Sequence, residues 1–235
     1  MWLEVEGLHA HYGLSHVLHG VDFAVDRGEV VCLLGRNGVG KSTTLKAIMG
    51  LLRPSAGQVV FRGTRIEGLP AHRIARLGVG YVPEERRIFP TITVLENLVM
   101  GMKPPADGGV SAWTVETVCN AFPHLAERAR QRAGTLSGGE QQMLTVARTL
   151  MGNPSLVLID EPTEGLAPMI VEQVEQVLAE IHRQGTSVLL VEQSTETALA
   201  LATRVYVMAK GQIVFGGSVE AFKADASIRR QYLEV

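Results

Sequence analysis

Apolar positions alternate at the start of the chain. Leu3 and Val5 alternate with Glu4 and Glu6, and Val21, Phe23 and Val25 alternate with Asp22 and Asp26. A period of two predicts half-buried strands in antiparallel pairing. Val30–Leu34 is instead a continuous apolar run between Gly28 and Gly35, the mark of a strand buried on both faces of a parallel sheet. From Ser42 to Leu52 the spacing of Leu45, Ile48, Met49 and Leu52 predicts a helix that ends before Pro54. Gln58 to Phe61 and Ile66 predict a short hairpin around Arg62-Gly63, and Gly78 to Val82 a strand ending at Pro83. The stretch from about Val94 to Met151 is mostly helical, broken by a loop, KPPADGGVS, at Lys103–Ser111. Leu156–Ile159 and Ser187–Val191 repeat the doubly buried pattern, separated by a helix through Ile170, Val174, Val177, Leu178 and Ile181. Val205–Met208 then turns at Lys210-Gly211 into Gln212–Phe215. Strands alternating with helices predict an α/β fold with a mostly parallel sheet, preceded by an antiparallel part.

Composition narrows the function classes. With 235 residues, 46% of them hydrophobic and 20% charged, the chain has enough apolar material for one domain, with or without a satellite subdomain. The net charge of -2 supplies no basic field, so nucleic acid is excluded as the main partner. Cys32 and Cys119 have neither a C-x-x-C nor a metal-ligand spacing, which fits a reducing compartment. Gly7 to Val21 lacks Asp, Glu, Lys and Arg but carries four His, so no membrane span is expected there. The amino terminus MWLEVEG lacks the basic-then-apolar order of a secretory signal. The one excess is glycine, 25 residues, against a usual ~7%.

The glycines cluster where chemistry is expected. Gly35-Arg36-Asn37-Gly38-Val39-Gly40-Lys41-Ser42 fits G-x-x-x-x-G-K-[ST] between a buried strand and a helix. Glycines let backbone N–H groups converge on a polyphosphate, Lys41 reaches the outer phosphates, and Ser42 offers a hydroxyl to Mg²⁺. A nucleoside triphosphate is the expected ligand. Leu156 to Ile159 ends in Asp160-Glu161, and at the carboxyl end of a parallel strand this pair faces the same crevice. Asp160 is expected to hold the Mg²⁺ shell and Glu161 to orient or deprotonate the attacking water. In Leu136-Ser137-Gly138-Gly139-Glu140-Gln141-Gln142, Ser137 caps a helix and two glycines leave amides open to an anion. That makes a second phosphate site, which one nucleotide scarcely needs.

On these three motifs the chain resembles the ATP-binding subunits of ABC transporters over essentially its full length. The resemblance implies a P-loop α/β fold with an N-terminal antiparallel β subdomain and a helical signature subdomain. One ATPase domain, 1–235, is expected, with residues 1–87 and 151–235 as the ATP-binding core and 88–150 as the helical part. It implies a dimer in which the signature, Ser137 to Gln141, closes over the γ-phosphate held by the partner's loop, Gly35 to Thr43. It implies that Tyr12, in HYG, stacks on adenine. The cofactors implied are ATP and Mg²⁺.

Three positions depart from the wider family. Glu84 in GYVPEERRIFP stands where Gln is usual, at the switch that senses Mg²⁺, water and the membrane partner. Gln193 in LLVEQS stands where His is usual, and it hydrogen-bonds a γ-phosphate or water without holding a proton as imidazolium. Glu164-Gly165-Leu166-Ala167 stands where the dimer-contact loop usually ends in Asp. Together with Thr93 to Asn97, EPTEGLAP and YLEV, these resemble the shorter ATPase of importers for branched-chain and other hydrophobic amino acids.

That resemblance implies an engine on the cytoplasmic face of the membrane. Its partners would be two transmembrane permease subunits, a sibling ATPase or a second copy of itself, and indirectly a periplasmic or extracellular solute-binding protein. Pro83, Ile88, Phe89 and Pro90 would edge a groove for a helix of the membrane subunit, while Arg86 and Arg87 are expected as solvated charges. A urea or short-chain amide importer is the alternative substrate class. A soluble ABC ATPase, a small-molecule kinase and a catalytically silent binding module are rivals. The first usually needs fused modules or a coiled coil, the second has no use for LSGGEQQ, and Glu84 and Gln193 keep the third open.

Overall fold

The structure, a computed structural model, describes residues 1–106 and 112–234. The end of the 103–111 loop and Val235 of the YLEV terminus lie outside the described residues. A hairpin of β1 (Leu3–Tyr12) and β2 (Ser15–Val25) leads into β3 (Val30–Leu34), α1 (Lys41–Ile48), β4 (Ala56–Phe61), β5 (Thr64–Arg65), α2 (Ala71–Arg76) and β6 (Val79–Val82). Then come α3 (Val94–Gly101), α4 (Val115–Ala121), α5 (Pro123–Glu127) and α6 (Gly138–Leu150). The chain finishes with β7 (Leu156–Asp160), α7 (Pro168–Arg183), β8 (Ser187–Glu192), α8 (Thr195–Leu201), β9 (Arg204–Ala209), β10 (Gln212–Ser218), α9 (Val219–Ala224) and α10 (Ala226–Tyr232).

Two sheets result. The first is antiparallel, in the order β2-β1-β4-β5. The second runs β10-β9-β3-β8-β7-β6, parallel except for β10 at its edge. This is the α/β fold with a mostly parallel sheet that the pattern predicts. All five residues of β3 are buried, and they feed two cores in turn. Val30, Cys32 and Leu34 pack with the helices from α3 to α9 on one face. Val31 and Leu33 pack with α1 and the antiparallel sheet on the other. β7 divides in the same way, with Val157 and Ile159 on the first face and Leu156 and Leu158 on the second. Each strand therefore buries both of its faces, which is why its sequence reads as an unbroken apolar run.

Two details differ from the sequence pattern. The helix predicted to run to Leu52 stops at Met49, because Gly50 takes φ 71° and a Cβ there would sit on the Leu69 carbonyl oxygen. The hairpin is longer than alternation suggests: Gly7 to Val21 lies within β1 and β2 apart from the turn at Gly13-Leu14. Register shifts along β1 break its period of two. His9, His11, His16 and His19 gather on this hairpin, with the His11 and His16 rings stacked 4.0 Å apart.

α3 and α6 cross closely at Gly101, where a Cβ would sit on the Arg148 carbonyl oxygen. That backbone has no rotamer with which to yield. Gly101→Ala is therefore expected to cost about 1–3 kcal/mol through overpacking, seen as a Tm several degrees lower in thermal unfolding, with nucleotide affinity unchanged.

Candidate functional site

The phosphate loop leaves the end of β3 and enters α1 directly. Gly38 (φ 79°) and Gly40 (φ 113°) take left-handed conformations that turn successive N–H groups inward. At Gly35 a Cβ would stand 2.6 Å from the Met208 carbonyl oxygen, so only glycine passes there. Arg36 is exposed, Val39 is half-buried and Thr43 is buried. Lys41 folds back along the loop, its Nζ donating to the carbonyls of Gly35 (2.9 Å) and Arg36 (3.1 Å). The same Nζ pairs with Glu161 Oε1 at 2.9 Å, and the two residues are only 3% and 8% exposed. A pair buried this deeply holds because each charge has lost its water and has the other.

Asp160, the last residue of β7, receives a hydrogen bond from Ser42 Oγ at 2.8 Å and another from Tyr81 Oη at 3.2 Å. Burial pushes its carboxyl above the ordinary range, against those two bonds. Burial beside Asp160 also pushes the Tyr81 phenol up. Glu161 takes φ 43°, a conformation that costs a non-glycine residue about 1–3 kcal/mol and that clusters at working sites. The structure holds it there by a bond from its N–H to the Val191 carbonyl at 3.0 Å.

A cleft of about 290 Å³ brings several of the predicted residues together. Asn37, Gly38, Gly40, Lys41, Ser42 and Thr43 form one wall, and Glu84 and Glu161 the other. Val17 and Glu164 complete it. A hydrogen bond with Glu161 raises the Glu164 carboxyl above its usual range, with burial and the charges of Glu161 and Glu84 adding to it. Ser42 Oγ and Asp160 Oδ1 are hard oxygen donors placed side by side, and Mg²⁺ is ordinarily held by one or two carboxylates plus phosphate oxygens and water. The donor set fits that ion. Among the described residues no group of three or more His, Cys, Asp or Glu forms a self-sufficient metal cluster.

Other predicted residues stand outside the cleft. Tyr12 ends β1, 48% exposed, and Gln193 follows β8, exposed, without lining the phosphate wall. The signature is elsewhere too. Ser137 caps α6: its Oγ accepts from Glu140 N–H, while the Glu140 carboxylate accepts from Ser137 N–H (2.8 Å) and Oγ (2.7 Å). Glu140 also pairs with Arg128 at 3.1 Å. Burial opposes its ionisation, but the Ser137 bonds and the Arg128 charge outweigh burial and hold the carboxyl below its usual range. That side chain is thus spent on its own helix, and the two glycines before it, Gly138 and Gly139, pack against the Arg86 guanidinium and Ile170. Ser137 and Glu140 line a different cleft, of about 790 Å³, against α4, α5 and α7.

The sequence singled out neither Tyr81 nor Glu192, and it placed Glu164 in the dimer-contact loop without its contact to Glu161. Glu192, at the end of β8, is buried and accepts from Thr163 Oγ1 at 2.8 Å, which anchors the loop after Glu161. Burial raises its carboxyl. Its only signal was an acidic residue closing an apolar strand, the same signal that marked Asp160.

A family model described as "ABC transporter" matches residues 18–164. BraG of Pseudomonas aeruginosa, a high-affinity branched-chain amino acid transport ATP-binding protein, is 42% identical over 233 residues, 98% of this chain and 99% of BraG. LptB of Haemophilus influenzae, a lipopolysaccharide export system ATP-binding protein, is 32% identical over 98% of this chain and 96% of its own. The solved ADP conformation of MJ1267, an ATP-binding cassette of an ABC transporter, matches with a TM-score of 0.83 at 26% identity, covering 97% of this chain and 96% of that one. The phosphate loop, the signature and the Asp160-Glu161 pair all fall within the matched span, and full-length relatives share the whole chain: it belongs to the ABC transporter family, as one of its ATPases.

Proposed function

We propose that the chain is the ATP-hydrolysing subunit of an ABC importer for branched-chain or other hydrophobic amino acids, acting at the cytoplasmic face of the membrane. The observation that carries the chemistry is the buried Lys41–Glu161 pair beside Ser42 and Asp160. The observation that carries the substrate class is the 42% identity to BraG over nearly the full length of both chains.

Lys41 is paired with Glu161. A triphosphate gives Lys41 a partner of higher charge, so the ammonium turns to the phosphates and the Glu161 carboxylate is released. Glu161 is then free to take the proton of the attacking water. The Gly38 and Gly40 turns aim backbone N–H groups at the phosphates, and Asn37 and Thr43 complete that wall. Ser42 and Asp160, with Glu84 at the edge, would hold Mg²⁺, which would supply charge neutralisation at the outer phosphates. Tyr12 is free to stack on adenine. Gln193, beside the site but not in its wall, meets the γ-phosphate end on closure.

The signature serves a second chain. No residue from Ser137 to Glu140 lines the phosphate cleft of its own chain, so Gly138 and Gly139 face the nucleotide of a sibling ATPase or a second copy. The membrane partner has a place as well. Phe89 is 45% exposed, and with Leu51, Pro83 and Met100 it lines a cleft of about 440 Å³. Arg148 packs its guanidinium 4.8 Å from the Phe89 ring centre, and Asn97 holds the Phe89 backbone by two hydrogen bonds. Ile88 packs inward instead. An exposed apolar patch of this kind suits a helix of a permease subunit. Among the described residues no helix is long and apolar enough to cross a membrane, so the spans lie with that partner. The identity to LptB supports one second reading, an exporter ATPase, and the solute that stimulates hydrolysis in the assembled complex separates the two.

Lys41→Ala is expected to weaken ATP binding by about 10–100-fold, the worth of one charge-assisted bond, in a fluorescent-nucleotide titration. Glu161→Gln is expected to keep ATP affinity within about twofold and lower kcat by about 10²–10⁴-fold; undiminished steady-state hydrolysis would refute the assignment. Phe89→Asp should leave the ATPase of the isolated chain intact and abolish solute-stimulated hydrolysis in the reconstituted complex.

A further inference from the structure

The hydrolytic site leaves one buried group unexplained. Gln142, in α6, is 2% exposed, yet neither its Nε2 nor its Oε1 has a hydrogen-bond partner among the described residues. A buried amide with both ends unmet destabilises the fold, and a leucine of similar volume would avoid that cost. Gln142 lines a cleft of about 230 Å³ together with Glu84, Arg86, Glu161 and Glu164, although its two amide atoms are themselves closed to water. A chamber of that size and polarity has room for several waters, each needing ~30 Å³ and two to four polar partners. It shares Glu84, Glu161 and Glu164 with the phosphate cleft and lies behind the carboxylate assigned as the base.

We propose that Gln142 is a positioning residue for hydrolysis, whose unmet amide reaches water bound to the carboxylates of Glu84 and Glu161 when α6 shifts. The inference rests on the reading of Glu161 as the base. An amide suits this place because Nε2 donates toward carboxylate-bound water while Oε1 accepts from water or from the Arg86 guanidinium. Gln142 also lies four residues after Gly138, one turn along the same helix. Arg86, in the wall of the chamber, packs its guanidinium against Gly138. The helix whose amino terminus is offered to a partner's nucleotide thus carries, one turn later, the group that orients this chain's own carboxylates. Seating α6 on a partner's phosphate draws Gln142 with it, so the geometry at Glu161 follows the state of the neighbouring site.

The test uses the full chain with Gln142→Leu, and Gln142→Met as a second apolar variant should the first fold poorly. Thermal unfolding, ATP affinity and steady-state hydrolysis are measured on each. The expected result is a Tm equal to or above the parent's, KM and ATP affinity within about twofold, and kcat lowered roughly tenfold or more. A merely structural role gives the reverse, a lower Tm with kcat unchanged, and overturns the proposal. So does an active parent beside an equally active Gln142→Leu. A parent that hydrolyses no ATP overturns the reading of Glu161 as a base and this inference with it.

Discussion

Leu34 pairs with Glu192, and Asp160 pairs with Val191, so β3, β8 and β7 end along one line. That register decides where the chemistry lies. Three adjacent parallel strands, buried on both faces, deliver the phosphate loop, the Asp160-Glu161 pair and Glu192-Gln193 to the same edge of the sheet. A slip of one residue in β7 would turn Asp160 from the Ser42 side of the sheet to the other. The cores on either face prevent it, because Val157 and Ile159 belong to one and Leu156 and Leu158 to the other. The apolar runs that make the strands readable are thus also what fixes the carboxylates opposite the loop.

The price of that placement is electrostatic. Lys41, Asp160, Glu161 and Glu192 are all buried within a few residues of strand ends. Each is held by a specific partner: Lys41 by Glu161 and two carbonyls, Asp160 by Ser42 and Tyr81, Glu192 by Thr163. Removing one member would strand the other in low dielectric, which is costly. The pairs are therefore exchangeable only for a ligand that supplies equal or greater charge. On the proposed reading, a triphosphate does so for Lys41.

Local pattern revealed most of this, and long-range packing the rest. The phosphate loop, the two carboxylates and the capped signature helix each occupy a few consecutive residues whose types carry their own mechanism. The β1–β2 hairpin was half hidden, because its register shifts and four imidazoles break the period of two. Tyr81 and Glu164 were hidden because their proximity to Asp160 and Glu161 comes from β6 lying beside β7 and from the turn after Thr163. Nothing in the spacing of GYVPE or EPTE announces either contact. Glu140 shows the opposite limit. The motif marks it as a nucleotide contact, whereas the capping box and Arg128 engage its carboxylate completely.

The same capping box explains what the signature is built to do. By satisfying the Glu140 and Ser137 donors and acceptors internally, it rigidifies the first turn of α6 and uses the Glu140 N–H of the terminus. The space where side chains of Gly138 and Gly139 would stand is filled by the Arg86 guanidinium and by Ile170, which pack against the terminus. A terminus ordered in advance pays little entropy when an anion arrives. It lines none of the walls of its own phosphate cleft, as the proposed pairing with a neighbour requires. On the proposed pairing of two ATPases, completion of each site by a neighbour would make closure of the pair, and not nucleotide binding alone, the event that can do work on a membrane partner. ATP bound more tightly by the closed arrangement than by the open one would be the source of that work.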